Sequence, residues 1–225
     1  MKAIYLTLVI CLLAGPAYTQ NKSKAVDLTA EKGLKTINVD TKAETYRGKE
    51  SLKVTDPGVN SEVKIVKVDG VNLGNGIIEV EIAAKPAEGS MEGARGFVGI
   101  AFRINEDNSR FECIYLRPTN GRANDQLRRN HSVQYISFPD FPWYKLRNET
   151  PGLYESYVDL VPGEWTKVRI EIKAEKALLY VHGNSQPTLI VNDLKLGKNA
   201  RGSIGLWIGP GTEAHFAELV VTEGE

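Results

Sequence analysis

The stretch Glu164–Gly183, EWTKVRIEIKAEKALLYVHG, limits what this chain can fold into more than any other. Val168, Ile170 and Ile172 alternate with Arg169, Glu171 and Lys173. A charged turn follows, and the chain returns through Leu178, Leu179, Tyr180 and Val181. Alternate residues of a strand point to the same side, so the stretch predicts an antiparallel hairpin with one buried and one wetter face. A buried face needs a second layer over it. Nothing elsewhere in the sequence reads as a long amphipathic helix, so the covering layer is expected to be another sheet. The expected fold class is all-β, a sandwich of two antiparallel sheets.

With 225 residues the chain is long enough for one good core and short for two. The N-terminus MKAIYLTLVICLLAGPA has Lys2, an apolar run from Ala3 to Ala14, and small residues before Tyr18. This pattern is that of a secretory signal, expected at 1–19 with cleavage near residues 17–20 and release to the periplasm or the exterior. The run is shorter than the ~20 residues a membrane span needs. Residues 20–32 read as a flexible tether or an early edge segment, and 33–225 as one sandwich. Removing the signal takes away Cys11 and leaves Cys113, in the strand-like run FECIYL, as a buried small hydrophobe. Formal net charge is +0, with Arg128–Arg129 as the one basic pair that stands out, which argues against a nucleic-acid partner. A monomer or weak oligomer is expected.

Further strands are read at Leu34–Val39, Ser51–Val54, Glu62–Val68 and Gly76–Ala83, with a Gly/Asn turn from Gly70 to Gly76. In Gly96–Arg103, Val98, Ile100, Phe102 and Ile104 share one face, and Gly99, Ala101 and Arg103 the other. The chain turns at Asn105–Ser109 and returns as Phe111–Arg117. The favoured register sets Gly99 beside Tyr115 and Ala101 beside Cys113, with Val98 and Ile100 beside Leu116 and Ile114, because this gathers the bulky aliphatics. Ser132–Ile136, Tyr154–Leu160, Thr188–Leu194, Gly202–Ile208 and Glu213–Val220 complete the expected strands.

From 118 to 157 the character changes to a long polar and aromatic insertion, and long loops commonly carry function. Candidate ligand-binding residues are Tyr115, Arg117, Asn120, Arg122 and Arg128, followed by His131, Gln134, Tyr135, Trp143 and Arg147. Asn130, Tyr144 and Tyr154 accompany them. Sugars take flat aromatic faces for their C–H patches and planar amide or guanidinium groups for paired hydroxyls. The same residues could equally knit the insertion onto the sheet. Trp207 points opposite to Ile204, Leu206 and Ile208 between Gly205 and Gly209, leaving room for a loop or a sugar.

Catalytic candidates are Glu155, Glu112 and Asp125, since glycoside hydrolysis uses two carboxyls, ~5 Å apart in retaining enzymes. Glu79 and Glu81 share a strand face, but an exposed outer face explains them more simply. His131, His182 and His215 lack metal-ligand spacing, so no metal site is assigned. No calcium-loop motif is present; a single structural calcium near the Asp/Asn loops is the one cation the sequence leaves open, and no other cofactor is implied.

The segments FVGIAFR, FECIYLRP, VQY, GEWTKVRIEI and GSIGLWI, spread from about Ile77 to Val220, resemble the concanavalin A-like lectin/glucanase superfamily. Within it they look like secreted bacterial 3-keto-disaccharide hydrolase or family-16-glucanase-like domains. The resemblance implies a jelly roll of two curved sheets with a ligand groove on the concave face, walled by the 118–157 insertion. Tyr115, Arg117, Gln134 and Tyr135 would be its strand residues. The Glu-x-Asp-x-x-Glu pattern of many sandwich glucanases is absent. Three functions follow as expectations: a secreted carbohydrate-binding or carbohydrate-processing domain, a glycoside hydrolase working through a carboxylate pair, or a structural domain that binds protein.

Overall fold

The computed structural model describes residues 22–30 and 32–224; the expected signal peptide lies outside them. In chain order the strands are β1 (Lys22–Ala25), β2 (Leu34–Ile37), β3 (Asp40–Tyr46), β4 (Lys49–Thr55), β5 (Ile65–Leu73), β6 (Asn75–Pro86), β7 (Val98–Ile104) and β8 (Phe111–Leu116). Short helices α1 (Pro118–Gly121) and α2 (Gln126–Asn130) precede β9 (Val133–Phe138), and α3 (Trp143–Glu149) precedes β10 (Glu155–Ser156). The chain closes with β11 (Thr166–Lys173), β12 (Lys176–Val181), β13 (Leu189–Val191), β14 (Gly202–Ile208) and β15 (Thr212–Gly224).

These strands form two antiparallel sheets, an all-β jelly roll. One runs β13-β12-β11-β6-β15-β4-β3 with β1 added on β15; the other runs β10-β9-β8-β7-β14-β5-β2. The hairpin β11–β12 forms as its alternation predicts, pairing Val168 with Val181, Ile170 with Leu179 and Ile172 with Ala177. On its other side β11 sets Ile170 against Ile78 of β6. Facing them across the core are Val98, Ile100 and Phe102 of β7, Ile114 and Leu116 of β8, and Ile204, Leu206 and Ile208 of β14. Apolar side chains from two inner faces meeting in this way are what holds a sandwich together.

The expected β7–β8 register is the one observed: Val98 pairs with Leu116, Gly99 with Tyr115, Ile100 with Ile114 and Ala101 with Cys113. The alternation in β7 fails at one residue. Arg103 has φ +54°, and the pairing with β14 shifts between Ser203 and Gly205. This bulge turns Ile104 to the outer face, where it packs with Ala101 rather than with Phe102 as expected. The Arg103 guanidinium is buried and donates to the carbonyls of Gly74, Ala174 and Gly197 at 2.7–3.3 Å, tying three turns together.

Other differences have similar local causes. The expected turn over Gly70–Gly76 is mostly strand, because Val71 and Leu73 carry β5 on into the core. Strand β3, which the sequence reading passed over, is largely exposed and is held by its pairing with β4. Of the two readings of residues 20–32, tether or early edge segment, Lys22–Ala25 takes the second, pairing with Val220–Glu223. The expected strand Tyr154–Leu160 shrinks to Glu155–Ser156.

Candidate functional site

Side chains on the outer face of the seven-stranded sheet form a row that changes in chemistry along its length. Trp207 of β14 pairs with Gly99 of β7, Gly99 with Tyr115 of β8, Tyr115 with Gln134 of β9, and Gln134 with Glu155 of β10. The β14 end is aromatic, and the β10 end is polar and charged. Strand alternation puts Phe111 and Cys113 beside Tyr115 on the same face, and Ile136 and Phe138 beside Gln134.

The aromatic end opens into a trough of about 170 Å³ lined by Phe97, Phe111, Tyr115, Phe138, Trp143 and Trp207, with Glu62, Tyr144 and Pro210 at its edges. The Tyr115 and Trp207 centroids lie 4.9 Å apart, and Phe97 meets Tyr115 edge-on at 6.2 Å. Phe111 and Phe138 stack at 5.0 Å. Trp143 and Tyr144, at the start of α3, are 43% and 54% exposed and so form the accessible wall. Burial pushes the Tyr115 phenol up to about 12, so it stays protonated. The Trp207 Nε1–H is buried and has no hydrogen-bond partner among the described residues.

Phe97 and Trp143 also line an adjoining pocket of about 300 Å³, whose other walls include Arg95, Arg117, Asn120, Arg128, His131 and Arg147. Beneath it lies Glu155. Arg147 Nε donates to Glu155 Oε2 at 3.0 Å, a further guanidinium nitrogen of Arg147 also donates to this carboxylate, and Arg117 Nη1 reaches Oε1 at 3.3 Å. His131 Nε2 is 3.4 Å from Oε2. Burial, reinforced by the charges of Arg147 and Arg117, holds His131 below the ordinary histidine value, while Glu155 works in the opposite direction. Arg117 also donates to Tyr115 Oη at 2.9 Å and to Gln134 Oε1 at 3.2 Å, joining the two ends of the row.

The structure therefore gathers Tyr115, Trp143 and Trp207 in the trough, and Arg117, Asn120, Arg128, His131 and Arg147 around the polar pocket. The other candidates lie elsewhere or are fully engaged. Tyr135 was expected in the groove but points into the core, because it neighbours Gln134 and adjacent strand residues face opposite ways; its hydroxyl bonds to Glu112 and accepts from Lys195 N at 2.9 Å. Glu112 shares that inner side, and burial raises its pKa. Gln134 faces outward but is buried, its amide donating to the carbonyls of Tyr135 and Tyr154. Arg122 makes a bidentate pair with Asp159 at 2.7 Å on the exposed surface.

Asp125 is the N-cap of α2, accepting from Arg128 N at 2.9 Å. Glu112 and Glu155 lie on opposite faces of their sheet, so they do not form a pair across one site. Tyr154 packs in the core and bonds to Asp193. Among the described residues no group of three or more His, Cys, Asp and Glu comes together to hold a metal. The sequence reading passed over Phe97, Phe111, Phe138 and Arg95. For Phe111 the signal was present, since it lies four residues before Tyr115 on the same strand face.

The fold defines a class by architecture alone, an all-β jelly roll of two antiparallel sheets. Solved structures with this fold include a galectin-like-fold protein from Bacillus subtilis, with TM-score 0.58, 11% identity, and coverage of 91% of this chain and 98% of that one. Carbohydrate-binding module CBM66, also from Bacillus subtilis, gives TM-score 0.56 and 13% identity over 83% of this chain and 93% of that one. Peanut lectin gives TM-score 0.52 and 11% identity over 91% and 97%. The sequence matches no family model and no curated protein.

Proposed function

We propose that this chain is a secreted carbohydrate-binding domain that takes a sugar ring in the aromatic trough and its polar substituents in the adjoining pocket. The observation that carries the reading is the trough itself, where the Tyr115 and Trp207 rings lie 4.9 Å apart and Trp143 and Tyr144 stand exposed beside them. Ring faces gathered and left partly exposed in this way suit the C–H side of a sugar ring. The aromatic walls supply the flat apolar surface, and the adjoining pocket supplies planar amide and guanidinium groups from Asn120, Arg128 and Arg147. The fold is one that lectins and binding modules also use, which supports the reading without carrying it.

Binding is favoured over hydrolysis by the surroundings of the carboxylates. Glu155 is fixed by Arg117 and Arg147, Glu112 faces the core, and Asp125 caps a helix. A general acid has to reach the scissile oxygen, and none of these three is presented for that task. The test is a broad glycan array probed with the signal-free protein, followed by mass spectrometry of each bound sugar. Sugars that bind and return intact are expected. Cleaved products would make the domain a hydrolase, and an array without binding would remove carbohydrate as the ligand.

A further inference from the structure

We propose that the polar pocket beside the trough is a subsite for the anionic group of an acidic glycan, a carboxylate or a sulfate ester. This rests on the carbohydrate reading above and narrows it to a class of ligand. Four arginines and His131 line the pocket, and no Asp or Glu among the described residues does. The carboxylates whose charge His131 feels are Glu155, lying beneath, and Asp125, occupied at the α2 N-cap. Positive charge remains in excess even with His131 neutral. The chain as a whole is balanced, so this excess is a local feature rather than a general basicity.

The guanidiniums are not equally available. Arg117 is engaged by Tyr115, His131, Gln134 and Glu155, and one edge of Arg147 is held on Glu155. Arg95 donates to the carbonyls of Glu92 and Ala94. The Arg128 side chain makes no hydrogen bond among the described residues, and its Nε is buried and unpartnered. Arg128 lines the pocket with its guanidinium charge unneutralised by any hydrogen-bonded carboxylate among the described residues, and such a group suits an oxyanion. Asn120 lines the same wall, its amide nitrogen donating to the His131 carbonyl at 3.1 Å.

Trp143 ties this subsite to the sugar site. Its indole lines both cavities and carries the Arg147 guanidinium 4.7 Å and the Arg117 guanidinium 5.9 Å from its ring centre. A pyranose lying against Trp143 in the trough would therefore direct an acidic substituent toward Arg128 and the free edge of Arg147.

The test is isothermal titration of the whole signal-free protein with matched oligosaccharides in glucose, galactose and mannose series. Each neutral oligomer is paired with its uronate and its sulfate ester. In at least one series an acidic form is expected to bind about tenfold or more tightly than its neutral parent, the order of effect of one charge-assisted contact. That advantage should shrink at high salt. Arg128→Gln, on an exposed short helix, should reduce the acidic-over-neutral preference about tenfold, and Arg95→Gln serves as a second variant. The uronate and sulfate arms identify the anion. Neutral and acidic forms binding equally, or a preference that both variants leave intact, overturns the subsite while the trough reading stands. Neutral and acidic forms both failing to bind overturns the carbohydrate reading with it.

Discussion

Tyr115 and Trp207 belong to strands that do not pair with each other, yet their ring centroids are 4.9 Å apart. The residue between them on β7 is Gly99, paired with both. A Cβ there would fall 2.2 Å from the Ile114 carbonyl oxygen and 2.6 Å from Tyr115 Cβ, so the absence of a side chain lets the two rings approach across the strand. The trough floor is in this sense built on a missing methyl group.

Gly99→Ala should therefore destabilise the fold by about 1–3 kcal/mol, the usual cost of forcing a group into a packed site. The near-ultraviolet circular dichroism of the aromatic cluster should change with it. Urea unfolding of the two proteins measures the first effect. An unchanged midpoint and an unchanged aromatic spectrum would show that the sheet accommodates the methyl freely.

Arg103 is a second point where one residue organises many. Replacing it by Met keeps the bulk but removes the guanidinium donor from the carbonyls of Gly74 and Ala174, while the Gly197 carbonyl keeps the Ala200 N–H. With these bonds only part-buried, a loss of about 1–3 kcal/mol is expected in urea unfolding. A loss below ~1 kcal/mol would mean that water replaces the guanidinium at these turns.

Both residues show what was legible in the sequence. Regular alternation predicts the hairpin β11–β12 and the β7–β8 register, because a one-residue slip would expose a whole set of aliphatics. The bulge at Arg103 was not legible: a positive φ in the middle of a strand leaves no mark in the pattern, and Arg on an apparently outward face reads as solvent-facing. The same limit explains the candidate site. Tyr115 and Trp207 follow from alternation, whereas the separation of Gln134 from Tyr135 required choosing between neighbours that face opposite ways. The partners of Glu155 are Arg117 at the start of α1, His131 at the end of α2 and Arg147 in α3, and their meeting depends on how the insertion folds back, which spacing does not encode.

Glu155→Gln separates a structural carboxylate from a catalytic one. The Arg117–Glu155 pair is buried on both sides, so neutralising Glu155 leaves buried positive charge without its counterion. A loss of about 3–5 kcal/mol in stability is expected. Affinity for an acidic oligosaccharide should rise in the surviving folded protein, since the resident anion is gone. Full stability with loss of sugar cleavage would instead assign Glu155 to catalysis.

Two histidines give the fold a predictable pH response. Burial is the largest cause holding both His131 and His215 below the ordinary value, although Glu155 and Glu44 respectively pull the other way. His215 lies stacked on Tyr46 at 3.7 Å with Nε2 3.0 Å from Glu44. With the folded value depressed, the unfolded chain binds protons that the folded chain refuses as pH falls below about 6.5. Stability should thus be highest above that value and decline between about pH 7 and pH 5.5. The His131→Gln, His215→Gln double variant should flatten the slope. A slope of the opposite sign would show that the acidic partners outweigh burial.

The most direct test of the account is calorimetric titration of the tightest glycan found on an array into the wild-type protein and into Trp143→Ala. Trp143 forms an accessible wall of the trough and contributes little to the core, so its removal tests the ligand surface rather than the fold. The account predicts a correctly folded variant whose affinity falls about tenfold or more, roughly 1.4 kcal/mol. Equal affinity in the two proteins would place the sugar elsewhere on the molecule and contradict the trough as its site.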